Sequence, residues 1–357
     1  MSTPTLKPAW NAEAIERFAD AVGGSVLDDA WGPSIDVGSA MVAAEAAAVA
    51  PLSDLGVVTV SGPDGASFLH AQLTNDVEHL DAGLVRWGGY CTAKGRLLST
   101  FRYWRGADAV LMAVSRPLAA PLARRLSMFV LRAKARVADA SDDHVVFGLL
   151  GQAAGEAAAA AFGLGVPNAD GVTQGVDGAQ LVGLPPMPEA GRPRWLLVVP
   201  AAQAATAWDA LCTAASPISG AAWRRTEVLA GVPRIVADTA ELFVPQMLNF
   251  ESVDGVNFRK GCYPGQEIVA RSQYLGKLKR RMFAAHGVGD VPAPAADVVP
   301  SAGGEPCGQV VLAAPDGAGG FDVLFESQVA AVEAGPVAVG GITLAGRTLP
   351  YLLKTID

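Results

Sequence analysis

At 357 residues, 51% hydrophobic and 17% charged, the chain is longer than one core usually organises and too apolar for a disordered one, so two or three domains are expected. Its net charge of -8 weighs against a broad nucleic-acid-binding face, which needs clustered Lys and Arg to displace counterions, and no direct nucleic-acid contact is expected. No run approaches the ~20 apolar residues of a membrane span, and Met-Ser-Thr-Pro-Thr-Leu-Lys-Pro-Ala-Trp at the start lacks the zones of an export signal, so a cytoplasmic protein without membrane contact is expected.

In chain order, the Ala-rich stretches Met41 to Ala50 and Ala153 to Phe162 carry a Glu each and read as helices. Gly56 to Ser61 (Gly-Val-Val-Thr-Val-Ser) is β-branched and reads as a strand. The turn Gly62-Pro63-Asp64 then offers Asp64 as the cap of a helix over Gly65 to Leu73. Strands follow at Val85 to Thr92, Leu97 to Trp104 and Ala109 to Val114, then a helix over Pro117 to Phe129 with Pro in its first turn, and a strand at Ala133 to Val137. The order β-α-β-β-β-α-β predicts a ferredoxin-like unit with an extra strand, in the α+β class.

From His144 onward strand and helix signals recur: Val145 to Leu150, the helix Gln152 to Phe162, Gln180 to Leu184, Trp195 to Val199 and the helix Ala201 to Cys212. A helix over Ala221 to Gly231 carries Arg224-Arg225-Thr226-Glu227 and is stopped by Gly231-Val232-Pro233. After Arg281 come short apolar strands between Gly and Pro turns: Phe283 to Val288, Cys307 to Ala313, Gly320 to Phe325, Val329 to Ala334 and Gly341 to Leu344. That is the pattern of a small β-barrel or sandwich.

Cys91, Cys212, Cys262 and Cys307 are scattered, without a C-x-x-C pair or a nearby His, so neither a metal site nor a disulfide framework is expected. The scarcity of His (His70, His79, His144, His286) weighs against hydrolases and metalloenzymes. Chemistry concentrates instead in Phe258 to Arg271, Phe-Arg-Lys-Gly-Cys-Tyr-Pro-Gly-Gln-Glu-Ile-Val-Ala-Arg. Pro264 fits the first turn of a helix over the residues that follow, which puts the Cys262 thiol at or just before a helix N-terminus, with Arg259 and Lys260 adding positive charge. A buried cysteine in a glycine turn, acting as a small hydrophobe, is the alternative. Glu227 also reads two ways, as an acceptor for the paired N–H groups of a 2-amino-4-oxo ring or as a surface partner of Arg224. Lys277, Lys279, Arg280 and Arg281 form a basic cluster, able to hold a polyanion or simply marking a solvated strand entrance.

These residues resemble a known family, the folate-binding YgfZ proteins, relatives of the glycine-cleavage T-protein. The string Lys260-Gly261-Cys262-Tyr263-Pro264-Gly265-Gln266-Glu267 looks like the family's motif. Val60-Ser61-Gly62-Pro63-Asp64 through Phe68-Leu69, Leu73-Thr74-Asn75-Asp76, Lys94-Gly95-Arg96 and Arg225-Thr226-Glu227-Val228-Leu229-Ala230-Gly231-Val232-Pro233 support it in family order. The resemblance implies three domains in a ring around a channel that holds tetrahydrofolate. A discontinuous α+β domain would span 1–55 and 140–280, a ferredoxin-like one 56–139 and a C-terminal β-barrel 281–357. It further implies that Glu227 contacts the pterin ring, that Arg259, Lys260, Gly261, Tyr263, Gln266 and Arg271 border the folate, and that Cys262 is the functional thiol. Family members support the maturation or repair of iron-sulfur enzymes, with an effect on tRNA thiomodification, so iron-sulfur client enzymes or assembly proteins are the implied partners of a monomer.

T-proteins carry an acidic pair where this chain has Ser99 and Thr100 after Leu97-Leu98. A hydroxyl does not replace a carboxylate as a base or as a partner for a developing cation, so glycine-cleavage activity is not expected. Folate-dependent aminomethyl transfer or demethylation on another donor, and a noncatalytic scaffold docking through Lys277 to Arg281, are the competing readings. One motif cysteine cannot hold an iron-sulfur cluster by itself, since clusters need several thiolates.

Overall fold

The computed structural model describes residues 10–38, 46–188, 191–274 and 278–354. The chain divides into two compact units, one made of Met1–Leu69, Val77–Arg86 and Phe101–Trp223, the other of His70–Asp76, Trp87–Thr100 and Arg224–Asp357.

A five-stranded sheet follows from the β-branched run at Leu55–Ser61. Its order is Val85–Cys91, Leu97–Arg105, Ala109–Ser115, Leu55–Ser61, Arg136–Asp139. Leu55–Ser61 pairs antiparallel with Ala109–Ser115 on one side and Arg136–Asp139 on the other. With helices Gly65–His70 and Arg116–Ser127 in the two crossovers, this is the expected ferredoxin-like order plus one edge strand. Asp64 differs from the expectation. Its carboxylate accepts from Lys134 N at 2.7 Å, while its backbone carbonyl takes Phe68 N at 2.9 Å. The side chain therefore ties down a crossing segment instead of capping the helix.

A six-stranded sheet runs Val172–Gln174, Gln180–Leu184, Arg194–Pro200, His144–Leu150, Ala48–Pro51, Ser216–Pro217, with only the last pair parallel. Helices Ala12–Ala21, Gln152–Phe162 and Ala204–Cys212 bury Phe18, Ala158 and Leu211 against Phe147, Trp195 and Leu197. Gly155 is required there, because a Cβ on it would fall 2.8 Å from the Trp195 ring. Ala48–Pro51 corrects the helix expected over Met41 to Ala50. Its residues are fully enclosed and hydrogen-bonded to His144–Leu150, and such pairing overrides the helix propensity of Ala. Residues 41–45 lie outside the described residues.

In the second unit a seven-stranded antiparallel sheet has the order Ile342–Thr343, Val337–Val339, Asp297–Pro300, Gly308–Pro315, Gly320–Gln328, Arg280–Val288, Ala345–Arg347. It curls into a nearly closed barrel. A Cβ on Gly289, just past Arg280–Val288, would sit 2.8 Å from the Ile342 side chain on the far edge strand. Val329–Ala334, expected as a strand, is a helix. Val-Ala-Ala-Val-Glu-Ala is mostly helix-forming, and its two Val residues do not alternate as a strand requires. Among the described residues no helix is long and apolar enough to cross a membrane.

Candidate functional site

Two glycine turns of the second unit meet at the motif. The turn Thr92-Ala93-Lys94-Gly95-Arg96 closes with Gly95 N to Thr92 O at 2.9 Å and Thr92 N to Arg96 O at 2.8 Å. Gly265 lies against it at φ +81°, and a Cβ there would be 2.3 Å from Thr92 O. Gly95, at φ +71°, would clash with Ile268 in turn, at 3.0 Å. Both positions need glycine for conformation and for space.

The helix that follows, Gln266–Tyr274, starts two residues later than expected. Pro264 stands in the preceding turn, because a residue at φ +81° cannot continue a right-handed helix backward. Val269 anchors this helix. Its side chain is buried with Phe250 and Val256, and its carbonyl accepts Gln246 Nε2 at 2.7 Å.

Cys262 is exposed on the segment before this turn, so the alternative of a buried structural cysteine does not describe it. Arg259, Gly261 and Arg271 are exposed as well, and Gln266 is half-buried. Lys260 turns inward. Its Nζ donates to Leu73 O at 2.7 Å and to His70 O, and lies 4.8 Å from the centre of the Tyr263 ring. Burial pulls its ammonium down from 10.5 to about 8, against the attraction of Asp76 and Cys262. Tyr263 is buried, its hydroxyl has no hydrogen-bond partner among the described residues, and burial with neighbouring Cys91 pushes its phenol up. Cys91 is wholly enclosed, with its thiol pushed up to about 12 by burial, and serves as an inert hydrophobe.

The stretch Leu73-Thr74-Asn75-Asp76 braces the motif from beneath. Thr74 Oγ1 donates to Gly255 O at 2.7 Å and accepts Gly89 N at 2.9 Å, and Asn75 Nδ2 donates to Trp87 O at 2.9 Å and Asp254 O at 2.6 Å. Thr74 O takes Asn257 N at 2.9 Å, and Asn257 Oδ1 accepts the amides of Arg259 and Lys260 at 2.8 and 3.1 Å.

His70 was not singled out from sequence. Its Nδ1 is 2.9 Å from Asp76 Oδ1, and a Cβ on Gly261 would be 3.9 Å from its Nε2, so an imidazole oriented by a carboxylate faces the loop that carries Cys262. The available signal was Asp76, six residues after His70 in Leu73-Thr74-Asn75-Asp76.

Glu227 lies near the end of helix Gly220–Leu229. It is buried and pairs with Arg234 at 3.3 Å. Arg224 is itself buried, so a surface pair does not describe them. Gly231, at φ +65°, reverses the chain and lets Val232 N reach Glu227 O at 2.9 Å, which brings Arg234 back to the carboxylate. Thr100 uses its hydroxyl on this same return. It donates to Pro233 O and accepts Ile235 N, both at 2.9 Å. Ser99 is buried and its Oγ has no partner among the described residues.

The basic cluster is drawn into the barrel. Arg280 grips Glu326, with Nη2 to Oε2 at 3.0 Å, and Arg281 pairs with buried Glu251. Lys279 is exposed, and Lys277 lies outside the described residues.

No protein-family model matches the chain. It is 35% identical over 248 residues to the tRNA-modifying protein YgfZ of Vibrio vulnificus (strain YJ016), spanning 69% of this chain and 72% of that protein. It is 30% identical over 254 residues to the tRNA-modifying protein YgfZ of Colwellia psychrerythraea (strain 34H / ATCC BAA-681), spanning 71% and 76%. Among solved structures it is similar to the glycine cleavage system aminomethyltransferase T from Bartonella henselae, with a TM-score of 0.70 and 16% identity across 96% of this chain and 99% of that one.

Proposed function

The chain belongs to the YgfZ family of tRNA-modifying proteins and has the fold of an aminomethyltransferase T, and from that premise we propose that it is a tetrahydrofolate-binding accessory protein for the assembly or repair of iron-sulfur enzymes, acting on tRNA thiomodification through them. The observation that carries this reading is the presentation of Cys262. The thiol is exposed, yet its loop is fixed by Lys260, Asn257 and the paired glycine turns, as a thiol kept for reaction with an outside partner requires.

The residues present suit a folate. Glu227, paired as a carboxylate with Arg234, is an acceptor-only group of the kind that takes the two parallel N–H donors of a pterin edge. Exposed Arg259 and Arg271 match the glutamate carboxylates of a folate tail. Bound tetrahydrofolate supplies amine nitrogens that accept one-carbon units. Lys260 belongs to the support of the loop, since its ammonium already donates to two backbone carbonyls.

The aminomethyltransferase fold keeps one-carbon transfer as a second reading. Thr100 weighs against it, because its hydroxyl is engaged by the Pro233–Ile235 return and supplies no carboxylate.

Calorimetric titration with tetrahydrofolate, on wild type and on Glu227→Gln, tests the folate premise. Binding to wild type that weakens in the variant is expected, and no binding to wild type removes the reading. Cys262→Ser should keep the folate affinity and lose the rescue of iron-sulfur enzyme activity in a deletion strain. Full rescue by that variant removes the role of the thiol. Incubation with tetrahydrofolate and candidate methylamines addresses the second reading, which falls if no methylene-tetrahydrofolate forms.

A further inference from the structure

Residues 124–136 join helix Arg116–Ser127 to strand Arg136–Asp139 and combine exposed apolar side chains with a run of cations. Met128, Phe129 and Leu131 are 61%, 45% and 85% exposed. Arg124, Arg132, Lys134 and Arg136 are exposed and Arg125 is half-buried, so the thirteen residues hold five cations and no Asp or Glu. None of the five takes part in an ion pair among the described residues.

The segment is shaped in advance. Phe129 N reaches Leu126 O at 2.9 Å, Val130 N reaches Ser127 O at 3.2 Å and Leu131 N reaches Phe129 O at 3.0 Å. Its far end is pinned where Lys134 N meets the Asp64 carboxylate. Three large apolar side chains left exposed among the described residues mark a contact surface. We propose that residues 124–136 are a docking surface for an acidic protein segment that carries apolar side chains.

Charge selects the partner. Taking these five cations from the net charge of -8 leaves -13 for the rest of the chain. An extended polyanion, whether nucleic acid or an anionic bilayer, would reach past the basic segment onto a chain that is otherwise net negative. A compact acidic segment can sit on the cations alone, because charge beyond about 8 Å is largely screened at physiological ionic strength. Composition points the same way. Met, Phe and Arg are enriched at protein interfaces and Lys is depleted, and four of the five cations here are Arg. This is where docking belongs in place of the 277–281 cluster, whose Arg280 and Arg281 are held by Glu326 and Glu251. The surface is independent of the folate reading and stands or falls separately.

The test is fluorescence anisotropy with a labelled synthetic peptide that carries Leu and Phe at helical spacing and Glu and Asp at its polar positions. Parallel arms use the same peptide with Lys in place of the acids, phosphatidylglycerol-containing vesicles and a single-stranded RNA oligomer. The acidic peptide should bind wild type with an affinity that falls with salt. Arg132→Glu with Lys134→Glu, and separately Phe129→Ser with Leu131→Ser, should each weaken it about tenfold or more, while far-ultraviolet circular dichroism and tetrahydrofolate titration match wild type. The proposal is overturned if the acidic peptide does not bind, if the variants bind it as wild type does, or if vesicles or RNA bind through these residues in its stead.

Discussion

Lys260 illustrates how much a single side chain's direction decides. Its ammonium is buried against two backbone carbonyls and the Tyr263 ring, and burial lowers it from 10.5 to about 8. The unfolded chain then binds more protons than the folded one between about pH 8 and 10.5. The stability contribution of Lys260 is therefore lowest below pH 8 and rises with pH through that window. A neutral amine keeps two N–H donors, enough for both carbonyls. Urea unfolding of wild type and Lys260→Gln should show a free-energy difference that shifts in favour of wild type from pH 8 to 10.5, and a constant difference would place the ammonium in solvent. Adjacency in the chain made Lys260 a cation beside Cys262. It could not reveal that Nζ reaches carbonyls 190 and 187 positions away, nor that His70 would face the same loop.

Along the strand Leu97–Arg105, alternation sends Ser99 and Thr100 to opposite faces, and only Thr100 finds partners among the described residues. Thr100→Val leaves Pro233 O and Ile235 N buried without that hydroxyl and should cost about 1–3 kcal/mol in urea unfolding. Ser99→Ala removes an unpartnered hydroxyl and should change stability by less than about 1 kcal/mol. Equal losses in the two variants would mean that the hydroxyl of Thr100 is not what holds the return of the chain beside Glu227. That Ser99 and Thr100 carry hydroxyls was legible from residue types, whereas the structural use of Thr100 depends on the neighbour that the fold supplies. Elements show the same division. The strand Leu55–Ser61 and the helix Gln152–Phe162 were legible from β-branching and Ala content. Ala48–Pro51 was not, because an alanine-rich run carries no sign of the strand that will pair with it.

At the scale of whole units, the second one is held by charges in its interior as well as by apolar packing. Glu251 is 1% exposed and pairs with Arg281, which also contacts Asn249 at 3.3 Å, and Asn249 donates to Met282 O at 2.8 Å. Glu251→Ala should cost about 3–5 kcal/mol, since it leaves the Arg281 guanidinium buried without its counterion, and the double variant with Arg281→Met should recover part of the loss. A double variant no more stable than the single one would show that apolar contacts, and not the pairing of charge, set that cost. The sequence by itself determined the ferredoxin-like order of one sheet, the β character of the C-terminal region and the glycine-flanked cysteine motif, because hydrophobic period, turn residues and motif spacing are local properties of the chain. Tertiary structure alone decided that Cys262 is exposed while Lys260 is buried, that Glu227 pairs with Arg234, and that the basic surface left open is 124–136 and not Arg280 and Arg281. Each of these depends on which distant carbonyl or carboxylate folding brings alongside, and no local pattern encodes that.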